Sequence, residues 1–309
     1  MDKLPCHTAV ITGGTGAIGM ALLRLLREKK CTVYVMLRAD SPRANRIVED
    51  DFVHIVPCDL QNIALLPEKI AQKADVFYHF AWENTVGAGR NDVDSQMRNI
   101  AYTLNAVHAA KALGCHTFIG AGSQAEYGVC DAPLRPETPA FPLTGYGIAK
   151  LCAGQMSRLA CAQQNLRHIW ARVVSVYGPY DGGGTLVSSI LSALLAGDVP
   201  ACTAGEQLWD YLYAADAADA FYRMGMYGKD GQVYVLGSGI SAPLKEYILQ
   251  MRDAVNPALA VALGKIPYPP HAMMRLQADI TALTRDTGFV PKTDFNSGIR
   301  TTLNWMKEV

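Results

Sequence analysis

Tyr146 and Lys150 stand four residues apart at the opening of a helical pattern, so their side chains share one face. An ammonium near a phenol stabilises the phenolate and moves a tyrosine pKa from about 10 toward the working pH, as proton exchange with an alcohol requires. With fourteen tyrosines in 309 residues, one Tyr-x-x-x-Lys match can arise by coincidence. Two further residues bear on it. Ser123 follows the apolar run His116–Ala121, where a hydroxyl reaches the crevice at the carboxyl ends of parallel strands. Asn99 is a polar residue inside a regular helical pattern. Taken singly, Ser123 reads as a turn residue and Asn99 as a solvated helix position. Taken with the glycine turn near the N-terminus, they read as one site.

That turn is Thr12-Gly-Gly-Thr-Gly-Ala-Ile-Gly19, with Gly13, Gly16 and Gly19 in a G-x-x-G-x-x-G spacing. Ala9–Ile11 before it reads as a short buried strand, and Met20–Arg27 after it has helical apolar spacing. Strand, glycine turn and helix make the setting that a dinucleotide diphosphate needs. One glycine allows the tight turn, one lets backbone N–H groups approach the phosphates, and one lets the helix pack close with its positive end facing the anion. The residue after the second strand selects the cofactor, because an acid grips the adenosine ribose whereas an arginine accepts an extra phosphate. Leu37 takes the acid's position and Arg38 follows, with Arg43 and Arg46 close behind, which favours NADP(H). The other reading leaves Arg38 a solvated cation and gives the ribose of NAD(H) to Asp40. Asp59, after the third strand, either accepts from the adenine amino group or caps the helix that follows.

These residues need a scaffold that gathers them. The first half alternates strands and helices in the βαβ manner of a parallel sheet. Further strands are expected at Cys31–Leu37, Phe52–Val56, Asp75–Phe80, His116–Ala121 and Arg167–Val174, with long helices at about 93–113 and 146–164. The fold class is therefore α/β, a Rossmann-type doubly wound parallel sheet with a smaller α/β C-terminal lobe over the substrate. The expected boundary puts residues 1–177 in the dinucleotide-binding domain, with segments returning to it from about 205–240. Residues 178–309 form the discontinuous smaller lobe, which holds prolines at 267, 269 and 270.

Composition narrows the partners. Half the residues are hydrophobic and the formal net charge is zero, so no basic field invites nucleic acid. No apolar run approaches the length of a membrane span, and Met1-Asp-Lys-Leu-Pro leads straight into the first strand, so neither a membrane segment nor a signal peptide is expected. Eight cysteines without a Cys-x-x-Cys pair fit reduced thiols in a cytoplasmic protein, and neither they nor the seven histidines have metal-ligand spacing. No metal site is expected.

The chain resembles an extended short-chain dehydrogenase/reductase of the NAD-dependent epimerase/dehydratase family. The resemblance runs through the glycine turn, Cys58-Asp-Leu60, His79-Phe-Ala81, Asn99 and Gly122-Ser-Gln-Ala-Glu-Tyr-Gly128. It continues in Tyr146-x-x-x-Lys150, Val176-Tyr-Gly-Pro179, Trp209-Asp-Tyr-Leu-Tyr-Ala-Ala-Asp216 and Ala278-Asp279. It implies that Tyr146 is the general acid/base, Lys150 its electrostatic partner, Ser123 a hydrogen-bond partner of the reacting oxygen, and Asn99 the holder of a relay water. It implies cofactor contacts from Gly13, Thr15, Gly16, Ala17, Ile18, Gly19, Arg38, Asp59, Leu60, Phe80, Ala81, Tyr146, Lys150, Val173 and Val176. Trp82, Ser123, Gln124, Tyr177, Trp209 and Arg275 are the implied substrate contacts. The two long helices, with apolar residues such as Leu104, Val107 and Ala110, resemble the pair that forms a four-helix homodimer interface in this family.

Within the family, 4,6-dehydration needs an Asp-Glu pair directly after the serine. Gln124 and Ala125 stand there, and alanine cannot move a proton. A 3,5-epimerase/reductase needs a cysteine at Ala125. Glu126 comes one position late for either role and is expected to pair with a nearby arginine. Two activities on a nucleotide-diphosphate sugar remain: NADPH-dependent reduction of a 4-keto-6-deoxyhexose, favoured by Arg38, and 4-epimerisation with tightly held NAD. Trp209 replaces an arginine that grips the substrate diphosphate in many relatives. Arg275 is the preferred substitute, with Arg172 and Lys265 as others. A non-catalytic NADP sensor is a different class of reading, disfavoured because Tyr146 and Lys150 are both present.

Overall fold

The computed structural model describes residues 4–269 and 272–308. Pro270 and the opening Met1-Asp-Lys therefore lie outside the described residues. In chain order the elements are β1 (Thr8–Thr12), α1 (Ala17–Glu28), β2 (Thr32–Leu37), β3 (Val53–Pro57), α2 (Leu66–Lys69), β4 (Val76–His79), α3 (Val93–Ala112), β5 (Thr117–Ser123), α4 (Gly145–Gln163) and β6 (Arg167–Val173). The second half adds β7 (Ser175–Tyr177), α5 (Leu186–Leu195), β8 (Leu208–Trp209), β9 (Tyr211–Tyr213), α6 (Ala214–Tyr227), β10 (Gln232–Leu236), β11 (Ala242–Pro243), α7 (Leu244–Val255), α8 (Thr281–Thr287) and α9 (Phe295–Glu308).

Seven strands form one sheet in the order β10-β6-β5-β4-β1-β2-β3, and every pairing in it is parallel. The strands are apolar on both faces because helices cover both. Ala9 and Ile11 of β1 face the core made with α1, α6 and α8 through Leu22, Leu26, Phe221 and Leu283. Val10, between them, faces the opposite core with Phe77, Phe118, Val107 and Ala110 beneath α3. Chain direction from β1 diverges to β2 on one side and β4 on the other. The crevice where the order reverses lies above the carboxyl ends of β1 and β4, the usual ligand position in such sheets.

A separate core, built from α5, α7 and α9, holds Val187, Leu191, Tyr247, Met251, Ile299 and Leu303. The return to the main sheet includes β10 and α6, and residues 283–289 also pack on the first core through Leu283 and Phe289. Two expectations change here. Ser123 does not follow the fifth strand; it is its last residue, still paired with Val173 of β6. Val107 and Ala110 do not belong to an outer stripe, because both are fully buried against the sheet. The exposed apolar residues of these helices are Val93 and Met97 on α3 and Ile148, Met156 and Leu159 on α4. Among the described residues no helix is long and apolar enough to cross a membrane.

Candidate active site

The glycine turn is shaped by close approach. Gly13 adopts φ +75°, and a Cβ there would lie 2.7 Å from the backbone nitrogen of Ala81. A Cβ on Gly19 would collide with the carbonyl of Gly13 and the backbone of Gly14. Gly16 differs: the nearest atom to a Cβ there is the Gly13 carbonyl oxygen at 3.8 Å, so its outer side is open. Gly16 is also the N-cap of α1 and supplies no side-chain cap, which leaves the N–H groups of Ala17, Ile18 and Gly19 pointing out of the helix end. An open glycine beneath uncapped amides is a cradle that fits a dinucleotide diphosphate.

A cleft of about 890 Å³ extends from this turn, lined by Gly13, Thr15, Arg38, Asp59, Leu60 and Phe80 among others. Thr12 secures its floor: its hydroxyl accepts from the backbone N–H groups of Phe80 and Ala81, each at 3.2 Å, and meets His79 Nδ1 at 2.9 Å. Burial pushes His79 down to about 3, so the ring is neutral and links Thr12 to Thr103. At the end of β2, Met36 and Leu37 are buried and offer no acid, while Arg38 is well exposed at the cleft wall and 4.0 Å from Asp40. Asp59 caps the turn that follows, accepting from the Asn62 backbone N–H at 3.0 Å, and also lines the cleft. Arg46 donates to the carbonyl of Thr15 at 2.9 Å and stacks on Tyr180. Val173 and Val176 are partly buried against the first core near the β6 and β7 ends.

At the chemical end, α4 begins at Gly145, capped by the Thr144 hydroxyl, which accepts from Gly147 N–H at 3.1 Å. Tyr146 and Lys150 are thus one helical turn apart beside the end of β5. Burial raises the Tyr146 pKa above its usual value, while the Ser123 hydroxyl and the Arg90 guanidinium pull it back and Glu126 opposes them. Lys150 donates to the Ala121 carbonyl at 2.7 Å and lies 3.7 Å over the Trp82 ring. Burial lowers its pKa to about 7. Trp82 meets Tyr146 edge-on, with ring centroids 6.1 Å apart. The structure therefore brings Ser123, Tyr146, Lys150 and Trp82 together.

Ser123 is held by a buried polar network. Glu126 Oε1 accepts from the Ser123 backbone N–H at 2.8 Å and from Trp170 Nε1 at 2.9 Å; Oε2 accepts from Arg172 Nε at 2.6 Å. Both charged groups are almost fully buried. Glu126 has the arginine partner expected of it. Arg172 is consequently committed to Glu126 and is no substitute for a phosphate-binding arginine. Gln124, next to Ser123, keeps a buried side-chain oxygen with no partner.

Other expected residues are engaged by protein partners. Asn99 was expected to hold a relay water, but its side chain clamps a loop: Oδ1 accepts from the Glu83 N–H at 2.9 Å and Nδ2 donates to the Glu83 carbonyl at 3.0 Å. Tyr177, expected at the substrate, is buried among Tyr211, Tyr213 and Phe295 and donates to the Phe295 carbonyl at 3.2 Å. Trp209 packs between the α5–α7–α9 core and a smaller cluster that includes Tyr127, Leu134, Leu276 and Ala278, and donates from Nε1 to Ser175 Oγ at 3.0 Å. Arg275 bridges Leu208, so it shares a sheet face with Leu208 and not with Trp209, and its guanidinium donates to Gln277 at 2.9 Å. Its Nε is buried without a partner among the described residues. Lys265 is exposed. Sequence reading passed over Arg90 and Gln96, whose polar character in the 82–99 stretch was the available signal.

Residues 9–237 match the model of the NAD dependent epimerase/dehydratase family. The UDP-glucose 4-epimerase of Azospirillum brasilense is 25% identical over 97% of this chain and 92% of its own length. Two solved structures share the fold. The UDP-N-acetylglucosamine 4-epimerase of Methanobrevibacter ruminantium M1 gives a TM-score of 0.88 at 22% identity, covering 100% of this chain and 99% of that one. DesIV, a dTDP-glucose 4,6-dehydratase from Streptomyces venezuelae with NAD and TYD bound, gives 0.86 at 20% identity, covering 97% of each. With the family match spanning the glycine turn, Ser123, Tyr146 and Lys150, the chain belongs to the NAD-dependent epimerase/dehydratase family and is an enzyme of the extended short-chain dehydrogenase/reductase type.

Proposed function

We propose that this enzyme is an NADPH-dependent oxidoreductase that reduces the 4-keto group of a nucleotide-diphosphate-linked 6-deoxyhexose. The observation that carries the choice of cofactor is the end of β2, where buried Met36 and Leu37 offer no acid and Arg38 is the first charged side chain to line the cleft, ahead of Asp40. Gly13, Gly16 and the open amides of Ala17–Gly19 would hold the diphosphate, and Arg38, with Arg43 on the same cleft wall, the additional phosphate. The bound dinucleotide supplies the hydride.

The chain's own groups manage the oxygen. Ser123 donates a hydrogen bond to the carbonyl oxygen and favours the negative charge that develops there. Tyr146 delivers its proton to that oxygen. Lys150, fixed by the Ala121 carbonyl, brings positive charge to the same side of the pocket in its protonated form. Gln124, next to Ser123, would accept from a sugar hydroxyl, its side-chain oxygen having no partner among the described residues. Ala125, at the position where dehydration needs an acid, makes water elimination unsupported. Tyr146→Phe is expected to lower turnover about 10²- to 10⁴-fold while dinucleotide affinity is kept. A protein with no turnover to lose would instead be a sensor.

The second reading is 4-epimerisation with tightly held NAD, favoured by the near full-length similarity to the Azospirillum 4-epimerase. Denaturing the purified protein, identifying any released dinucleotide by mass spectrometry, and titrating the emptied protein with NADPH and NADH separates the two. Exchangeable binding with NADPH preferred supports reduction. Stoichiometric NAD that survives purification overturns it in favour of epimerisation.

The working form is proposed to be a homodimer. Ile148, Cys152, Met156 and Leu159 recur at helical spacing along one face of α4, as do Val93, Met97, Ile100 and Leu104 on the neighbouring α3. Sedimentation at a mass near twice 33.5 kDa is expected, and a monomer mass at all concentrations defeats the proposal.

A further inference from the structure

The loop between β4 and α3 closes on the acid/base tyrosine and is fastened at several points. Gln96 Nε2 donates to the carbonyls of Asn84 and Gly89, each at 3.0 Å, and Asn99 grips Glu83 from both sides. Asn91 Oδ1 accepts from the Gly145 N–H at 2.9 Å. That bond joins the residue after Arg90 to the residue before Tyr146. The backbones approach so closely that a Cβ on Gly145 would lie 3.1 Å from the Arg90 carbonyl oxygen. The outcome is a guanidinium carbon 4.5 Å from the centre of the Tyr146 ring. Among the described residues, Arg90 has no carboxylate within ion-pair distance, and its side chain makes no hydrogen bond. Lys150, by comparison, has its nitrogen 5.8 Å from the same ring centre and directs it to the Ala121 carbonyl and the Trp82 face.

We propose that Arg90 is a positioning residue that fixes the Tyr146 ring and supplies a second positive charge to the phenolate, a task that the Tyr-x-x-x-Lys spacing would give to Lys150 alone. An unpaired guanidinium over an aromatic face is attracted to the ring's negative quadrupole, and more strongly once the phenol is ionised. Four groups bear on the phenol: Ser123 from the end of β5, Glu126 from the turn after it, Lys150 from α4 itself and Arg90 from the loop. Glu126 is matched by Arg172, so Arg90 and Lys150 are the two cations without a carboxylate partner. The direction of the Arg90 effect on the Tyr146 pKa agrees, since it favours the ionised form against burial. The inference rests on Tyr146 being the acid/base of the proposed reaction, yet its test needs no substrate.

The test places 3,5-difluorotyrosine at position 146, whose lower intrinsic pKa brings the titration into a range where the protein stays folded, and follows it by ¹⁹F NMR. Arg90→Gln is expected to raise the midpoint by about one pH unit, and Arg90→Lys to recover at least half of the shift. Asn91→Ala keeps the guanidinium but frees the loop from Gly145, and is expected to raise the midpoint by a smaller amount. It also serves as the test if Arg90→Gln does not fold. A midpoint unchanged in folded Arg90→Gln, or in Asn91→Ala where that variant stands in, overturns the proposal whatever the substrate is. A shifted midpoint in a protein that turns over no nucleotide sugar leaves it standing and overturns the functional reading instead.

Discussion

The two ends of the cleft are built from different materials. The cofactor end is backbone: glycines pressed against neighbouring main chain, an uncapped helix terminus, and one hydroxyl, Thr12, holding two amides. The chemical end is side chain: a buried carboxylate holding Ser123, an amide holding a loop, and an ammonium lying on an indole. Backbone recognition suits a diphosphate that is the same in every related dinucleotide. Side-chain recognition can be altered residue by residue, which suits a pocket whose substrate differs across a family. The first kind of construction should fail locally and sterically when altered, and the second through charge and lost partners.

The largest effect is expected in the side-chain region. Glu126→Ala leaves the Arg172 guanidinium buried without its counter-charge and strips the acceptor from Trp170 Nε1 and the Ser123 N–H. Removing one member of a buried pair costs about 3–5 kcal/mol, so the urea midpoint should fall steeply. A change below about 1 kcal/mol would mean that water reaches Arg172 and that the network is looser than its burial implies.

The glycines give a sharper contrast within the backbone region. Gly13→Ala forces a side chain onto a φ of +75° and into the Ala81 backbone, and should cost about 1–3 kcal/mol of stability as well as dinucleotide affinity. Gly16→Ala meets nothing nearer than 3.8 Å in the protein, so stability should hold within about 0.5 kcal/mol while dinucleotide binding weakens about tenfold or more. Calorimetric titration beside chemical denaturation reads both. If Gly16→Ala leaves binding intact, the diphosphate does not rest on that glycine.

This difference also explains what could be read from residue order alone. The glycine turn, the α4 pair and the alternating strands are local patterns within a turn or two of chain, and each was legible. The Glu126–Arg172 pair was foreseen in kind, from the misfit of Glu126 with either catalytic role, but its hold on Ser123 and Trp170 was not. Asn99 drew notice as a polar residue in a helix, yet its partner is the backbone of Glu83, which no side-chain pattern reports. Arg90 and Tyr146 meet across an intervening helix and strand, so nothing near either residue announces the other. Tyr177 and Arg275 were substrate contacts by resemblance alone; that the Tyr177 ring packs among Tyr211, Tyr213 and Phe295, and that Arg275 bridges Leu208, depends on chain distant in sequence.

The smallest effect is a change of slope. Lys150 titrates near 7 in the folded protein and near 10.5 when unfolded, because burial disfavours its charge. Below pH 7 both states carry the proton, and folding bears the full cost of a buried ammonium. Between the two values the unfolded chain binds more protons than the folded one, so this group makes stability rise with pH until about 10.5. Lys150→Met removes that rise. The variant should gain on the wild type at pH 6 by about 1–2 kcal/mol after loss of the Ala121 hydrogen bond, and the gain should vanish toward pH 10. Denaturation midpoints of both proteins at pH 6, 8 and 10 measure it. Parallel pH profiles would mean that the ammonium is solvated, and that Trp82 does not shut water out of the chemical end.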